Sequence, residues 1–232
     1  MNLFLLQVTL STDSLSAPVI TEKTLSVIDL ITSGGIGGNL VMGALGLLSI
    51  FAIYILIERF SAIRKASIED DAFLKSIQNF VEAKDIEAAK TLCRNTDSPI
   101  SRMIEKGVNR INKPMTDISA AIENQGKLEV FKMENNLANL ATISGAAPMI
   151  GFLGTVIGMI VAFHEMASAG GNIDVEMLSK GIYTAMTTTV AGLIVGIIAF
   201  IAYNYLVSKV DKVVFMLEAK TTEFLDLLHH NE

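Results

Sequence analysis

Leu140-Ala-Thr-Ile-Ser-Gly-Ala-Ala-Pro148-Met-Ile-Gly151-Phe-Leu-Gly154-Thr155-Val-Ile-Gly158-Met159 decides the fold. It lies within a block free of Asp, Glu, Lys and Arg that runs between Glu134 and Glu165. Two more such blocks lie between Asp29 and Glu58 and between Lys180 and Lys209. Each exceeds the ~20 residues an α-helix needs to cross a hydrocarbon core. A soluble chain of 232 residues would have to bury three helices of that length in one small domain. The sequence therefore predicts an all-α integral membrane protein with three transmembrane helices.

The composition agrees, with 51% hydrophobic and 18% charged residues. A net charge of −6 gives no basic surface for nucleic acid. Cys93 is the single cysteine, so no intrachain disulfide is expected. The chain has no HExxH zinc motif and no GxxxxGK[ST] phosphate loop. No metal, cofactor or enzyme activity is expected.

Orientation follows from Lys and Arg. One, Lys23, precedes the first span, and thirteen lie between the first and second. Lys180 alone lies between the second and third, and Lys209, Lys212 and Lys220 follow the third. Arg59, Arg64 and Lys65 sit beside the first span and anchor its end at the inner interface. The positive-inside rule then puts the N-terminus outside and the C-terminus in the cytoplasm.

The expected layout begins with an outer segment, 1–38, in which Thr24 to Ile31 forms a short amphipathic helix ended by the glycine run Gly34 to Gly38. Met1 to Leu10 is apolar without a basic leader, and reads as a weak signal peptide or an anchoring segment. The first span covers 39–57. A cytoplasmic helical segment, 58–138, follows, with Ser98 as a cap ahead of Pro99 and Thr116 or Asp117 capping a later helix. The second span is 139–166, the outer turn with Gly170 and Gly171 is 167–178, and the third span is 179–207. The cytoplasmic C-terminal helix is 208–232. No breaker lies between Asp117 and Pro148, so a continuous helix to Met166 is expected, ~75 Å long. Pro148 is the expected kink.

Small residues line one face of the second span: Ser144, Ala147, Gly151, Gly154, Thr155 and Gly158. The third repeats this with Thr184, Thr188, Ala191, Gly192 and Val195, with Thr189 alongside and Gly192 and Gly196 as a small-xxx-small pair. Small residues allow close helix packing in lipid. A threonine hydroxyl can bond its own helix, but Thr187-Thr188-Thr189 surrounds the helix, so a polar or wet surface is an equal reading there. No Asp, Glu, Lys, Arg or His lies in a span core, so this chain has no titrating group of its own for proton transfer.

The run from Leu140 to Met159 with Phe163, together with Gly181-Ile-Tyr-Thr-Ala-Met-Thr-Thr-Thr189-Val-Ala-Gly192-Leu and Tyr203-Asn204, resembles the signature of the MotA/TolQ/ExbB proton-channel family. Three spans with an outside N-terminus resemble its ExbB and TolQ branch, ExbB most. The resemblance implies a bacterial inner-membrane ring of five copies, lined by the second and third spans and with the first span facing lipid. It implies an ExbD- or TolR-like single-span partner in the lumen that supplies an aspartate. It also implies work delivered through a TonB- or TolA-like protein. Thr155 and Thr189 match the family's lumen threonines, and Thr184 and Thr188 join that pathway. Gly151, Gly154, Gly158, Gly192 and Gly196 serve helix packing. Several members carry glutamate at the position of Thr184, and the threonine here counts against a glutamate-assisted route. The expected function is an ExbB-like subunit energising TonB-dependent transport. The alternatives are a TolQ-like subunit for outer-membrane integrity, or a passive scaffold whose small faces only pack helices. A receptor or enzyme site would need longer outer segments.

Overall fold

The computed structural model describes residues 35–67, 71–168 and 175–230. Seven helices and no strand occur among these residues. Three carry the membrane layer: α1 (Gly35–Ala66), α6 (Leu137–Ser168) and α7 (Val175–His230). All three are long and apolar enough to cross a bilayer. α6 and α7 form an antiparallel hairpin, and α1 lies against both. Their outer faces carry large apolar side chains, among them Leu47, Ile50 and Ile57 on α1, Phe152 and Ile160 on α6, and Ile194, Ile197 and Ile201 on α7. In water such a surface would drive aggregation, whereas against acyl chains it costs nothing.

α7 is 56 residues long, about 84 Å, so more than half of it lies outside a ~30 Å hydrocarbon core. This extension carries a buried stripe of Leu206, Val210, Val213, Leu217, Phe224 and Leu228. The steps of three, four and seven keep one face of a helix apolar over six turns. Four shorter helices form the layer beside it, α2 (Asp71–Glu82), α3 (Ile86–Asn95), α4 (Pro99–Val108) and α5 (Met115–Glu134); α2, α4 and α5 pack against it, and α3 packs on α2 and α4. Ile77, Ile104, Val108, Ile118 and Ile122 supply their side of the core. Gly107 marks the tightest point, where an added Cβ would meet Ile122 Cδ1 at 2.7 Å and Phe224 Cε1 at 2.9 Å. Cys93 is buried here, and burial pushes its thiol up to about 12.

Local signals explain most helix starts. Ser98 accepts from the Ser101 amide at 3.2 Å, and Ser101 returns the bond to the Ser98 amide at 3.3 Å, with Pro99 opening α4. Asp85 caps α3 through the Ala88 amide. By contrast, neither Thr116 nor Asp117 caps α5. Its cap is Pro114, without a side-chain bond, because Pro114 fixes the extended backbone that precedes the helix.

Two other expectations are corrected. The glycine run is not a helix stop from Gly35 onward, because α1 starts there. Gly37 and Gly38 are instead close-approach positions, where an added Cβ would lie 2.9 Å from Ile157 and 3.4 Å from Thr184. The continuous helix from Asp117 to Met166 is also broken. Asn135 is extended and Asn136 takes φ 63° before α6 begins. Asparagine tolerates this left-handed conformation because its short amide can bond locally, and Asn139 Nδ2 donates to Asn136 Oδ1 at 3.3 Å. The break frees the Lys132 carbonyl, which would otherwise accept from Asn136. Arg59 fills the gap, donating from Nη1 to that carbonyl at 2.9 Å. Arg59 also pairs with Glu58 through Nη2, so both terminal nitrogens of its buried guanidinium are bonded. The Thr24–Ile31 helix and the Gly170-Gly171 turn lie outside the described residues.

A charged network joins the layers next to this break. Glu129 is buried and accepts from Arg102, Lys132 and Gln125, each at 2.8 Å. Arg102 also donates to Asp97 at 2.8 Å, and the exposed Lys65 lies 3.6 Å from the same carboxylate. Burial raises the Glu129 pKa, but the bonds from Arg102 and Lys132 outweigh it, and the net shift is downward. A depressed carboxylate stabilises the fold above its unfolded pKa of about 4.3, and that contribution is lost as the pH falls through the folded value. Glu129→Gln is expected to cost about 1–3 kcal/mol, less than a fully buried broken pair, because Arg102 and Lys132 reach solvent. A detergent unfolding titration at pH 7 checks this, and the difference from wild type should shrink below pH 4.

Candidate functional site

The two small-residue faces mate with each other. At Gly192 an added Cβ would meet the Ala147 carbonyl at 2.6 Å and Gly151 Cα at 2.9 Å. At Gly151 it would meet the Thr188 carbonyl at 2.8 Å. At Gly158 it would meet Ala185 Cβ at 2.9 Å, and at Gly154 it would strike the Thr188 side chain. The helices thus touch backbone to backbone over three turns, a separation only residues without a side chain allow. Toward the extramembrane helices, Gly196 receives the Pro148 ring, whose Cγ lies 2.6 Å from the added Cβ position. α6 continues through Pro148 without a break in the helix. The proline removes the donor for the Ser144 carbonyl, which lies 3.0 Å from the same Gly196 position.

This packing sorts the four threonines. Thr188 is 1% exposed, with its hydroxyl donating to Ala185 at 2.7 Å and reaching the Gly151 carbonyl at 3.3 Å. Thr184 is 8% exposed. Both are therefore buried within one copy of the chain. Thr189 and Thr155 are half-buried at the edge of the seam. The Thr189 hydroxyl donates to the Gly151 carbonyl at 3.1 Å, and the Thr155 hydroxyl to Phe152 at 2.6 Å. Thr155 stands one turn beyond Gly151 on α6, so the two hydroxyls bond neighbouring carbonyls of that helix, Phe152 and Gly151.

Gly151, on the small-residue face of the second span, sits at the centre of the seam. Its carbonyl accepts from Thr189 and Thr188 on the opposite helix. What spacing did not show is the register, in which Gly151 lies opposite Thr188 and Thr189 as well as Gly192. Gly181 was not among the expected packing residues; an added Cβ there would lie 2.5 Å from Ala162 Cβ, extending the seam toward the start of α7. Of the three expected interface anchors, Arg59 caps α5, Arg64 is exposed on α1, and Lys65 reaches Asp97.

The site has no Asp, Glu, Lys, Arg or His between Glu134 and His164 or between Lys180 and Lys209. Its hydroxyls can each donate one hydrogen bond and accept others, so they can order water, but they cannot store a charge. No group of His, Cys, Asp and Glu placed to hold a metal exists among the described residues.

Known proteins share this arrangement of sequence. The model of the MotA/TolQ/ExbB proton channel family matches residues 95–219, more than half of the chain. A biopolymer transport protein ExbB homolog of Methanothermobacter thermautotrophicus is 28% identical over 80% of this chain and 64% of its own length. The biopolymer transport protein ExbB of Helicobacter pylori is 40% identical over 34% of this chain and 54% of its own. The Tol-Pal system protein TolQ of Pseudomonas aeruginosa is 25% identical over 91% of this chain and 96% of its own. The chain thus spans less than two thirds of both ExbB relatives and nearly all of the TolQ relative.

Proposed function

Because this chain belongs to the MotA/TolQ/ExbB proton channel family, we propose that it is the multi-span subunit of an inner-membrane motor driven by the proton gradient. The observation that carries this reading is the pair of half-buried hydroxyls, Thr155 and Thr189, beside a seam with no Asp, Glu, Lys, Arg or His. Such a face can hold water in line but cannot bind the proton that does work. The carboxylate comes from elsewhere, an aspartate on an ExbD- or TolR-like single-span partner. Five copies form a ring around that partner, with the α6–α7 edge inward and α1 toward lipid. The N-terminus is outside, and α2 to α5 with the end of α7 are cytoplasmic. This follows the concentration of Lys and Arg in that layer.

Within the family, the leading assignment is an ExbB-like role that energises TonB-dependent outer-membrane transport. The TolQ-like role is the second reading, favoured by the near-complete overlap with a TolQ relative. Complementation separates them. The chain, expressed with the single-span protein encoded beside it, should restore TonB-dependent uptake to cells lacking ExbB. Restored detergent resistance in cells lacking TolQ, without restored uptake, would transfer the assignment to the Tol system.

A passive scaffold is favoured by a different observation, the mating of both small faces inside one copy. It predicts no proton flux under any pairing.

A further inference from the structure

A basic cleft opens between the end of α1 and the middle of α7. It has a volume of about 340 Å3 and is lined by Phe60, Ile63, Arg64, Ser67, Tyr205 and Lys209, with Leu206 at its floor. On α1 the lining follows i, i+3, i+4 and i+7, so one helix face supplies it. The Phe60 and Tyr205 rings stack across the cleft at 6.3 Å between centroids, and Lys209 Nζ lies 5.5 Å from the Tyr205 ring.

Two features identify the ligand chemistry. First, the described lining is positively charged. Among the described residues no carboxylate lines the cleft and neither Arg64 nor Lys209 has an ion-pair partner, whereas the neighbouring Arg59 is paired with Glu58. Second, the cleft sits at a membrane border. Lys209 is the first charge on α7 after Lys180, and on α1 the exposed apolar face ends at Ile57 and Phe60, one turn before Arg64. Aromatic rings at headgroup depth with cations one turn beyond describe an interface on both helices.

We infer that this cleft binds the phosphodiester headgroup of an anionic phospholipid of the phosphatidylglycerol class. Arg64 and Lys209 take the phosphate, the Ser67 hydroxyl donates to a headgroup oxygen, and Phe60 and Tyr205 flank the upper acyl chain. Basic pockets between membrane helices bind anionic headgroups for this reason. The bound lipid would hold the end of α1 against α7. The inference rests on the three helices spanning a bilayer and is independent of proton conduction.

The full chain, purified in mild detergent, is titrated with dioleoyl-phosphatidylglycerol or dioleoyl-phosphatidylcholine, and bound lipid per chain is counted by native mass spectrometry. Phosphatidylglycerol should be retained at least tenfold more tightly. Arg64→Gln with Lys209→Gln should lower its affinity roughly twentyfold, about fivefold for each cation, and abolish the preference. Lys106→Gln with Lys113→Gln, away from the cleft, should leave it unchanged. Equal retention of the two lipids by wild type would overturn the inference without any variant, and so would undiminished phosphatidylglycerol binding by the folded double variant. Displacement of the lipid by millimolar inorganic phosphate would overturn the assignment to a lipid, because it would show a free-phosphate site.

Discussion

Gly192→Leu is expected to remove the folded hairpin from the membrane. The Cβ alone would lie 2.6 Å from the Ala147 carbonyl and 2.9 Å from Gly151 Cα. Both neighbours are backbone, so no side-chain rotation makes room, and α6 and α7 must move apart along their length. Separation breaks the contacts at Gly151, Gly154 and Gly158 and the Thr189 bond to Gly151 together. The expected loss is roughly 3–5 kcal/mol, at the upper end for overpacking because the obstruction is backbone. Gly43→Ala and Gly46→Ala are the controls, since nothing lies within 4 Å of either. They should be neutral or gain up to about 1 kcal/mol from helix propensity. Reversible unfolding in mixed detergent reads all three. A Gly192→Leu protein that unfolds at the wild-type midpoint would mean that the close seam between α6 and α7 is absent in the membrane.

Thr155→Val with Thr189→Val is expected to abolish gradient-driven work while leaving the protein folded and assembled. Valine keeps the shape. A hydrogen bond between membrane helices contributes only about 0.6 kcal/mol on average, so the Thr189 bond to Gly151 can be lost without unfolding the hairpin. What disappears is the polar edge. Each hydroxyl that positions transferring water is expected to be worth about tenfold in rate, corresponding to one ordinary hydrogen bond. Thr188→Val should behave differently. Its hydroxyl is buried and bonded to Ala185 and Gly151, so its loss should lower stability slightly and leave flux intact. Thr142→Val is the neutral control, because its hydroxyl bonds its own helix at Ala138 on an exposed face. Proton uptake and complex abundance are measured together for each variant. A double variant that assembles and conducts normally would make both threonines packing residues.

The three spans were legible because charge is excluded from lipid and its absence over a full crossing is unambiguous. Capping by Ser98 was legible too, since serine before proline is a local signal. The Asn135-Asn136 break was not. No glycine or proline marks it, and its stability comes from Arg59, 73 residues earlier in the chain, which caps the freed Lys132 carbonyl. A long-range cap of this kind leaves no trace in local periodicity. The candidate site was half legible. The small faces were found from spacing, but spacing cannot say which surface a face meets. Thr188 and Thr189 differ by one residue, about 100° around the helix, and that rotation separates a buried seam residue from one at its edge. The glycines at 37 and 38 were misread for the same reason, as breakers where the neighbours Ile157 and Thr184 make them contact positions.

The central claim is that this chain provides a hydrated polar edge and borrows its titrating group. Proton uptake by liposomes under an imposed potential tests it most directly, with the chain alone and with its aspartate-bearing single-span partner. The account predicts no uptake above that of empty liposomes for the chain alone, uptake when the partner is present, and none when the partner's aspartate is replaced by asparagine. Uptake by the chain alone at the rate of the complex would contradict it.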